Sequence, residues 1–186
     1  MNRLETFFCS SSIWRRITEK QILPWLLGHS DLGEHVLELG AGAGSATREL
    51  RRRAARVTSL EYDHNLARKL ARENLPEVRI VQGDAAALPF PKETFSTVVA
   101  VLMLHHLKST EAQDRALVEM SRVLRPGGRL FVMEIQDRWL QRLTHWRSTF
   151  TPLDPATVAA RLTRAGFSEP RLDAQGSAFR LRATLK

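Results

Sequence analysis

The chain has 186 residues, 43% of them apolar and 26% charged, with 28 Lys and Arg against 20 Asp and Glu and a formal net charge of +8. That apolar fraction excludes a disordered chain, and a chain of this length buries about 70% of its unfolded surface, enough for one core. Cys9 is the only cysteine, which excludes an intrachain disulfide or a thiolate-rich zinc site and suits a reducing, cytoplasmic compartment.

Residues 1 to 30 read as a helical segment laid over the ligand crevice. Ile22-Leu23-Pro24-Trp25-Leu26-Leu27 comes late and is broken by Pro, so it predicts neither a secretory signal nor a membrane span. His35 to Leu39 reads as a buried strand stopped by Gly40, and Ser45 to Ala54 as the helix after it. Val57 to Glu61 is the second strand, His64 to Asn74 the second helix and Val78 to Gln82 the third strand. Ser96 to Leu102 is almost wholly apolar, as a central parallel strand covered on both faces should be. Glu111 to Leu124 is an amphipathic helix with Leu117, Met120, Val123 and Leu124 on one side, punctuated by Pro126-Gly127-Gly128. Arg129 to Ile135 is the fifth strand, and Pro155 to Ala165 a helix with Pro at its start and Gly166 at its end. Arg171 to Ala174 and Phe179 to Leu185 close the chain as two strands in a hairpin. Such alternation predicts one doubly wound α/β domain over residues 1 to 186, with no internal repeat or linker.

Three signals fall at the carboxyl ends of the strands, where open α/β sheets bind ligands. In Glu38-Leu39-Gly40-Ala41-Gly42-Ala43-Gly44-Ser45 a strand runs into three alternate glycines, which let a backbone turn sharply and approach a ligand with no Cβ in the way. The dinucleotide pattern wants its third small residue at position 45, where Ser45 stands, while the third glycine comes one place early. Glu61 lies about twenty residues beyond the glycines, where a carboxylate accepts both hydroxyl protons of a ribose or simply caps a helix. Asp63, directly before the helical run, is the better cap. In Gly83-Asp84-Ala85, Asp84 either accepts from an adenine amino group or caps a helix, and the Ala85 N–H is placed to donate to the ring.

Together these motifs resemble the class I S-adenosylmethionine-dependent methyltransferases over roughly residues 34 to 186. Glu38 to Gly44 matches the family's first motif, Leu60-Glu61 its ribose acid and Gly83-Asp84-Ala85 its adenine contact. Phe95-Ser96-Thr97-Val98-Val99 and Leu124-Arg125-Pro126-Gly127-Gly128-Arg129-Leu130 match its later strands. The spacing of Leu88-Pro89-Phe90, Phe95 and Leu104-His105-His106 is most similar to the small-molecule, ubiquinone/menaquinone-type branch. Ser96 departs from that family's usual Asp, at the strand end remote from the cofactor. The resemblance implies a Rossmann-like doubly wound sheet of seven strands, mostly parallel with an antiparallel last strand, plus the N-terminal helical segment. Its cofactor is S-adenosyl-L-methionine, leaving as S-adenosyl-L-homocysteine. Implied contacts are Glu38, Gly40 and Gly42 to the methionine part, Glu61 to the ribose, Asp84 and Ala85 to adenine and the Val101 backbone to the amino-acid end, with Ala41, Gly44 and Tyr62 also among the cofactor-binding residues.

Transfer of a sulfonium methyl is an in-line displacement governed by alignment and water exclusion. A phenol, enol or protonated amine acceptor also needs a base, for which His105 and His106 lie nearest; packing is the competing reading. His145 and Glu134 are lesser candidates. Trp139, Leu140, Leu143, Trp146 and Phe150 recur at near-helical spacing, as core or as the wall of an acceptor pocket, with Phe7, Phe8 and Trp14 opposite. No Asn/Asp-Pro-Pro-Tyr sequence follows strand four and no acidic cluster or zinc spacing is present, so no metal is expected. The expected partner is a small-molecule acceptor. Nucleic acid is the alternative, disfavoured because Arg48, Arg51, Arg52, Arg53 and Arg56 spread around more than one side of their helix; a non-catalytic cofactor-binding module is the third reading.

Overall fold

The computed structural model describes residues 11–137, 139, 142 and 149–186. The first described element is helix α1 (Ser12–Ile17), capped by the Ser11 hydroxyl, which accepts the Trp14 N–H at 3.1 Å. It continues through a π-helical turn (Thr18–Ile22) into α2 (Leu23–Leu27) and stops at Gly28. Pro24 has no N–H to offer the ladder, and the helix widens to π spacing just ahead of it. Leu23, Leu26 and Leu27 lie at the i, i+3, i+4 positions of one face and are fully buried.

Seven strands follow: β1 (His35–Leu39), β2 (Arg56–Glu61), β3 (Val78–Gln82), β4 (Phe95–Val101), β5 (Leu124–Ile135), β6 (Phe167–Gln175) and β7 (Ala178–Leu185). Their order is β3-β2-β1-β4-β5-β7-β6. The first five pair in parallel, while β7 runs antiparallel to both β5 and β6, so the last strand is inserted between its neighbours as expected. Between and after the strands lie helices α3 (Thr47–Leu50), α4 (His64–Ala71), α5 (Thr110–Val123) and α6 (Pro155–Arg164). Asp63, Ser109 and Asp154 cap α4, α5 and α6 through their side chains.

Strand alternation sorts the apolar residues onto two faces. Leu37, Leu39, Leu60, Val98, Ala100, Leu130 and Val132 pack with α5, α6 and the terminal hairpin. Val36, Val57, Val99, Phe131 and Met133 pack with α2 and with Leu50 of α3. This is a Rossmann-like, doubly wound layer structure.

Several boundaries differ from the sequence reading. The predicted Ser45 to Ala54 helix is α-helical only over Thr47–Leu50, with turns before and after. Strand β5 starts at Leu124 and runs through Pro126-Gly127-Gly128, with a register irregularity opposite Phe95 and Thr97. Strand β6 starts at Phe167, four residues ahead of the predicted Arg171. Ser96 sits at the remote end of the sheet, its hydroxyl accepting the His35 N–H at 3.0 Å and lying 2.9 Å from the Leu32 and His35 carbonyls.

Candidate active site

The glycine loop is clasped to β2. Gly40 and Ala41 both donate their N–H to the Leu60 carbonyl, at 2.9 and 3.1 Å. Gly42 then donates to Glu61 Oε2 at 2.7 Å, and Asp63 donates to Glu61 Oε1 at 2.9 Å. Gly40, Gly42 and Gly44 have φ of +75°, +55° and +78°, which side chains rarely adopt. A Cβ on Gly40 would stand 2.6 Å from the Met103 Cβ, whereas one on Gly42 would meet nothing within 4 Å. The loop therefore has one packed side and one open side.

Glu61 is nine-tenths buried, yet a carboxylate offers about four acceptor positions. The two backbone donors leave room for two more. Gly83, at the end of β3, donates to the Glu61 carbonyl at 3.0 Å, which brings Asp84 and Ala85 beside it. Asp84 is exposed and its Oδ1 accepts the Ala86 N–H at 2.8 Å, the turn-capping arrangement, while Ala85 is buried. Tyr62 is exposed at the rim.

Glu38 lies on the other face of β1. Its Oε2 accepts from the Thr47 and Ser59 hydroxyls, each at 2.6 Å. Burial pushes its carboxyl above the ordinary range, while the two hydroxyl donors oppose that shift and the nearby Glu61 charge adds to it. Glu38 thus fastens β1, β2 and α3 together beneath the loop.

Beyond Val101, the half-buried end of β4, Leu102 adopts φ +54° and donates to the Met133 carbonyl at 2.8 Å. A leucine in the left-handed region is strained and persists only when its surroundings dictate it. The chain then makes a short 3₁₀ turn (Leu104–His106). Glu134 of β5, fully buried, secures that turn: Oε1 accepts the Leu104 N–H at 2.7 Å and Oε2 lies 2.5 Å from His105 Nδ1. An ionised carboxylate can only accept, so opposite one the donating N–H of His105 would be that of Nδ1. The His106 ring, half-buried, lies over His105 with centroids 4.2 Å apart, and Phe150 meets His105 edge-on at 5.6 Å.

A second buried group braces this turn from α5. The Gln113 amide donates to the Leu104 and Thr151 carbonyls at 3.2 and 2.7 Å, and its Oε1 accepts from Arg161 at 3.1 Å. Arg161, itself buried, pairs with Asp114 at 2.6 Å. Sequence reasoning missed Gln113 and Arg161 because the two stand 48 residues apart. The available signal was Gln113 itself, a polar residue on the buried stripe of α5 beside Ala112, Ala116 and Leu117.

Of the expected pocket residues, Trp14 packs against the apolar cluster under the N-terminal segment, Trp139 is exposed and Phe150 is half-buried beside His105. Phe7, Phe8, Leu140, Leu143, His145 and Trp146 lie outside the described residues.

The glycine loop, Glu61, Asp84 and the turn after β4 thus gather at the carboxyl ends of β1, β2, β3 and β4, the position at which open α/β sheets bind ligands. A family model described as a methyltransferase domain matches residues 37–132, from β1 into β5. The chain is 36% identical over 115 residues to a demethylmenaquinone methyltransferase of Thermobifida fusca, covering 60% of this chain and 48% of that protein. A second demethylmenaquinone methyltransferase, from Corynebacterium kroppenstedtii, is 33% identical over 123 residues, covering 66% and 48%. The crystal structure of an S-adenosylmethionine-dependent methyltransferase from Aquifex aeolicus superposes with a TM-score of 0.79 over 100% of both chains, at 16% identity. The chain belongs to the class I S-adenosylmethionine-dependent methyltransferases. It spans about half the length of the curated relatives it matches.

The family's cofactor fits the residues present. The open side of Gly42 is a cradle that a Cβ would enter, and Glu61 keeps acceptor positions beside it for a pair of hydroxyls.

Proposed function

We propose that this chain transfers the methyl group of S-adenosylmethionine to a small organic acceptor. The observation that carries the reading is the Glu61-pinned glycine loop lying across the sheet from the Glu134–His105–His106 group, with Met103 against Gly40 between them. When bound, the cofactor supplies an activated sulfonium methyl. Glu61 accepts the ribose hydroxyls, with Tyr62 at the rim. Asp84 and the Ala85 N–H face adenine. Gly40, Ala41, Gly42 and Gly44 take the methionine portion above Glu38, and the Val101 backbone takes its amino-acid end. His105, oriented by Glu134, and His106 above it supply the base that removes a proton from a hydroxyl or amine acceptor. The names of the two relatives support an acceptor of small-molecule size, and the single cysteine suits a cytoplasmic setting.

Thermal melting with S-adenosylmethionine, S-adenosylhomocysteine and NAD at matched concentrations, about 100 times the dissociation constant expected for the first, tests the cofactor. A bound ligand then adds about 2.7 kcal/mol to the folded state. The first two should raise the melting temperature and NAD should not, and Glu61→Ala and Asp84→Ala should abolish the response. A labelled-methyl transfer screen of phenols, hydroquinones and amines, run beside total RNA, then tests the acceptor. Label in RNA alone, or cofactor binding with transfer to nothing, would replace the small-molecule reading with a nucleic-acid enzyme or a binding module.

A further inference from the structure

The arginine-rich stretch after the glycine loop contains a residue that packs against the loop itself. Arg48 of α3 turns back under the loop, its side chain only one-quarter exposed. Its Nη1 donates to the Ala43 carbonyl at 2.8 Å and to the Gly44 carbonyl at 2.6 Å. Its Nη2 meets both carboxylate oxygens of Glu73, beyond the end of α4, at 2.5 Å. A Cβ on Gly44 would run into Leu70 of α4 and stand 2.9 Å from that same Nη1, so the guanidinium packs directly on the loop.

We infer that Arg48 is a positioning residue for the cofactor: it locks the glycine loop from behind, with Glu73 as its anchor. The need for such a lock follows from composition. Three glycines in five residues give the loop more backbone freedom than side-chain-bearing residues there would, and that freedom must be surrendered on binding. Hydrogen bonds from β2 hold its first half, through Leu60 and Glu61. Arg48 holds the carbonyls of its second half. The guanidinium fork suits the task because it donates to two carbonyls and a carboxylate at once in fixed geometry. Without it, a smaller fraction of molecules holds the binding-competent loop, and the apparent dissociation constant rises in inverse proportion to that fraction.

The inference rests on the cofactor lying against this loop, so its test carries a control for that reading. Calorimetric titration with S-adenosylhomocysteine needs no acceptor. Arg48→Ala should weaken binding about tenfold, corresponding to a competent fraction of roughly one-tenth, while the ligand-free melting temperature stays within about 4 °C of wild type. Millimolar guanidinium ion should restore part of the lost affinity, which a general loss of packing would not allow. Glu73→Gln should weaken binding less, and adding it to Arg48→Ala should change nothing further. If Arg48→Ala melts much lower than this, Arg48→Lys, which keeps a donor for the carbonyls but loses the fork, should show an intermediate affinity at near-wild-type stability. Wild-type affinity in Arg48→Ala, or a Glu73→Gln effect that adds in full to it, overturns the lock so long as Glu61→Ala has lost binding. Unchanged binding in Glu61→Ala instead removes the cofactor from this loop altogether, and the proposed function with it.

Discussion

The two alternate glycines at the head of the crevice have different jobs, and substitution separates them. Any side chain at either position incurs about 1–2 kcal/mol for the left-handed conformation. At Gly40 a methyl also overlaps Met103, and overpacking of that kind costs a further 1–3 kcal/mol or so. At Gly42 a methyl meets only open space. Gly42→Ala should therefore melt a few degrees below wild type but lose most of its response to S-adenosylmethionine. Gly40→Ala should show the larger loss of stability before any ligand is added. Equal melting temperatures for the two, or an undiminished ligand response in Gly42→Ala, would contradict this division. At this scale the sequence displayed the glycines, Glu38, Glu61 and the histidine pair through their spacing. It did not display Glu134 as the His105 partner, because a carboxylate at a strand end reads the same whether it faces solvent or an imidazole 29 residues away.

Among elements, the strands were the most readable feature: β3 has its predicted bounds, and β4 is displaced by one residue. Continuous apolar runs leave a buried strand few alternatives. What local signals could not show is pairing that overrides them. Pro126-Gly127-Gly128 marks a stop, yet β5 passes through it because the ladder resumes from Thr97 and Arg129 onward. The join of β1, β2 and α3 depends likewise on contacts distant in sequence, and Glu38 is its fastener. Its carboxyl is held above the ordinary range by burial, so the folded chain binds that proton more tightly than the unfolded chain does. The stability linked to Glu38 is fully present below the unfolded value, about 4.3, and is lost as pH rises through the folded value. Glu38→Gln keeps an oxygen for the Thr47 and Ser59 hydroxyls and removes the titration. Denaturant unfolding of both proteins from about pH 4 to pH 8 should show the Gln variant gaining on wild type as pH rises. Parallel profiles would mean that the carboxyl is not destabilised by burial.

Over the whole molecule, the net charge of +8 poses the remaining choice between a small acceptor and a polyanion. The positions of the arginines weigh against the polyanion. Arg48, Arg52, Arg122, Arg161, Arg180 and Arg182 are paired with carboxylates, and Arg53 and Arg129 donate to the carbonyls of Gly28 and Asp31. Those bonds join the turn after α3 to the N-terminal segment and β7 to β6, so these eight arginines are committed to packing before any phosphate arrives. Arg180 also lies over the Trp25 ring, 5.1 Å from its centroid. A binding groove requires the opposite, a row of cations with open coordination. Titration of a single-stranded RNA across a range of salt concentrations reads the difference. Each neutralised phosphate on a single strand contributes about −0.7 to the slope of log affinity against log salt. The committed arginines predict a shallow slope, corresponding to one or two phosphates, and affinity within the non-specific range of about 10⁻⁴–10⁻⁶ M. A slope near −4 would require about six phosphate contacts, more than these dispersed charges offer on one face. That result would move the proposed acceptor to the nucleic-acid class.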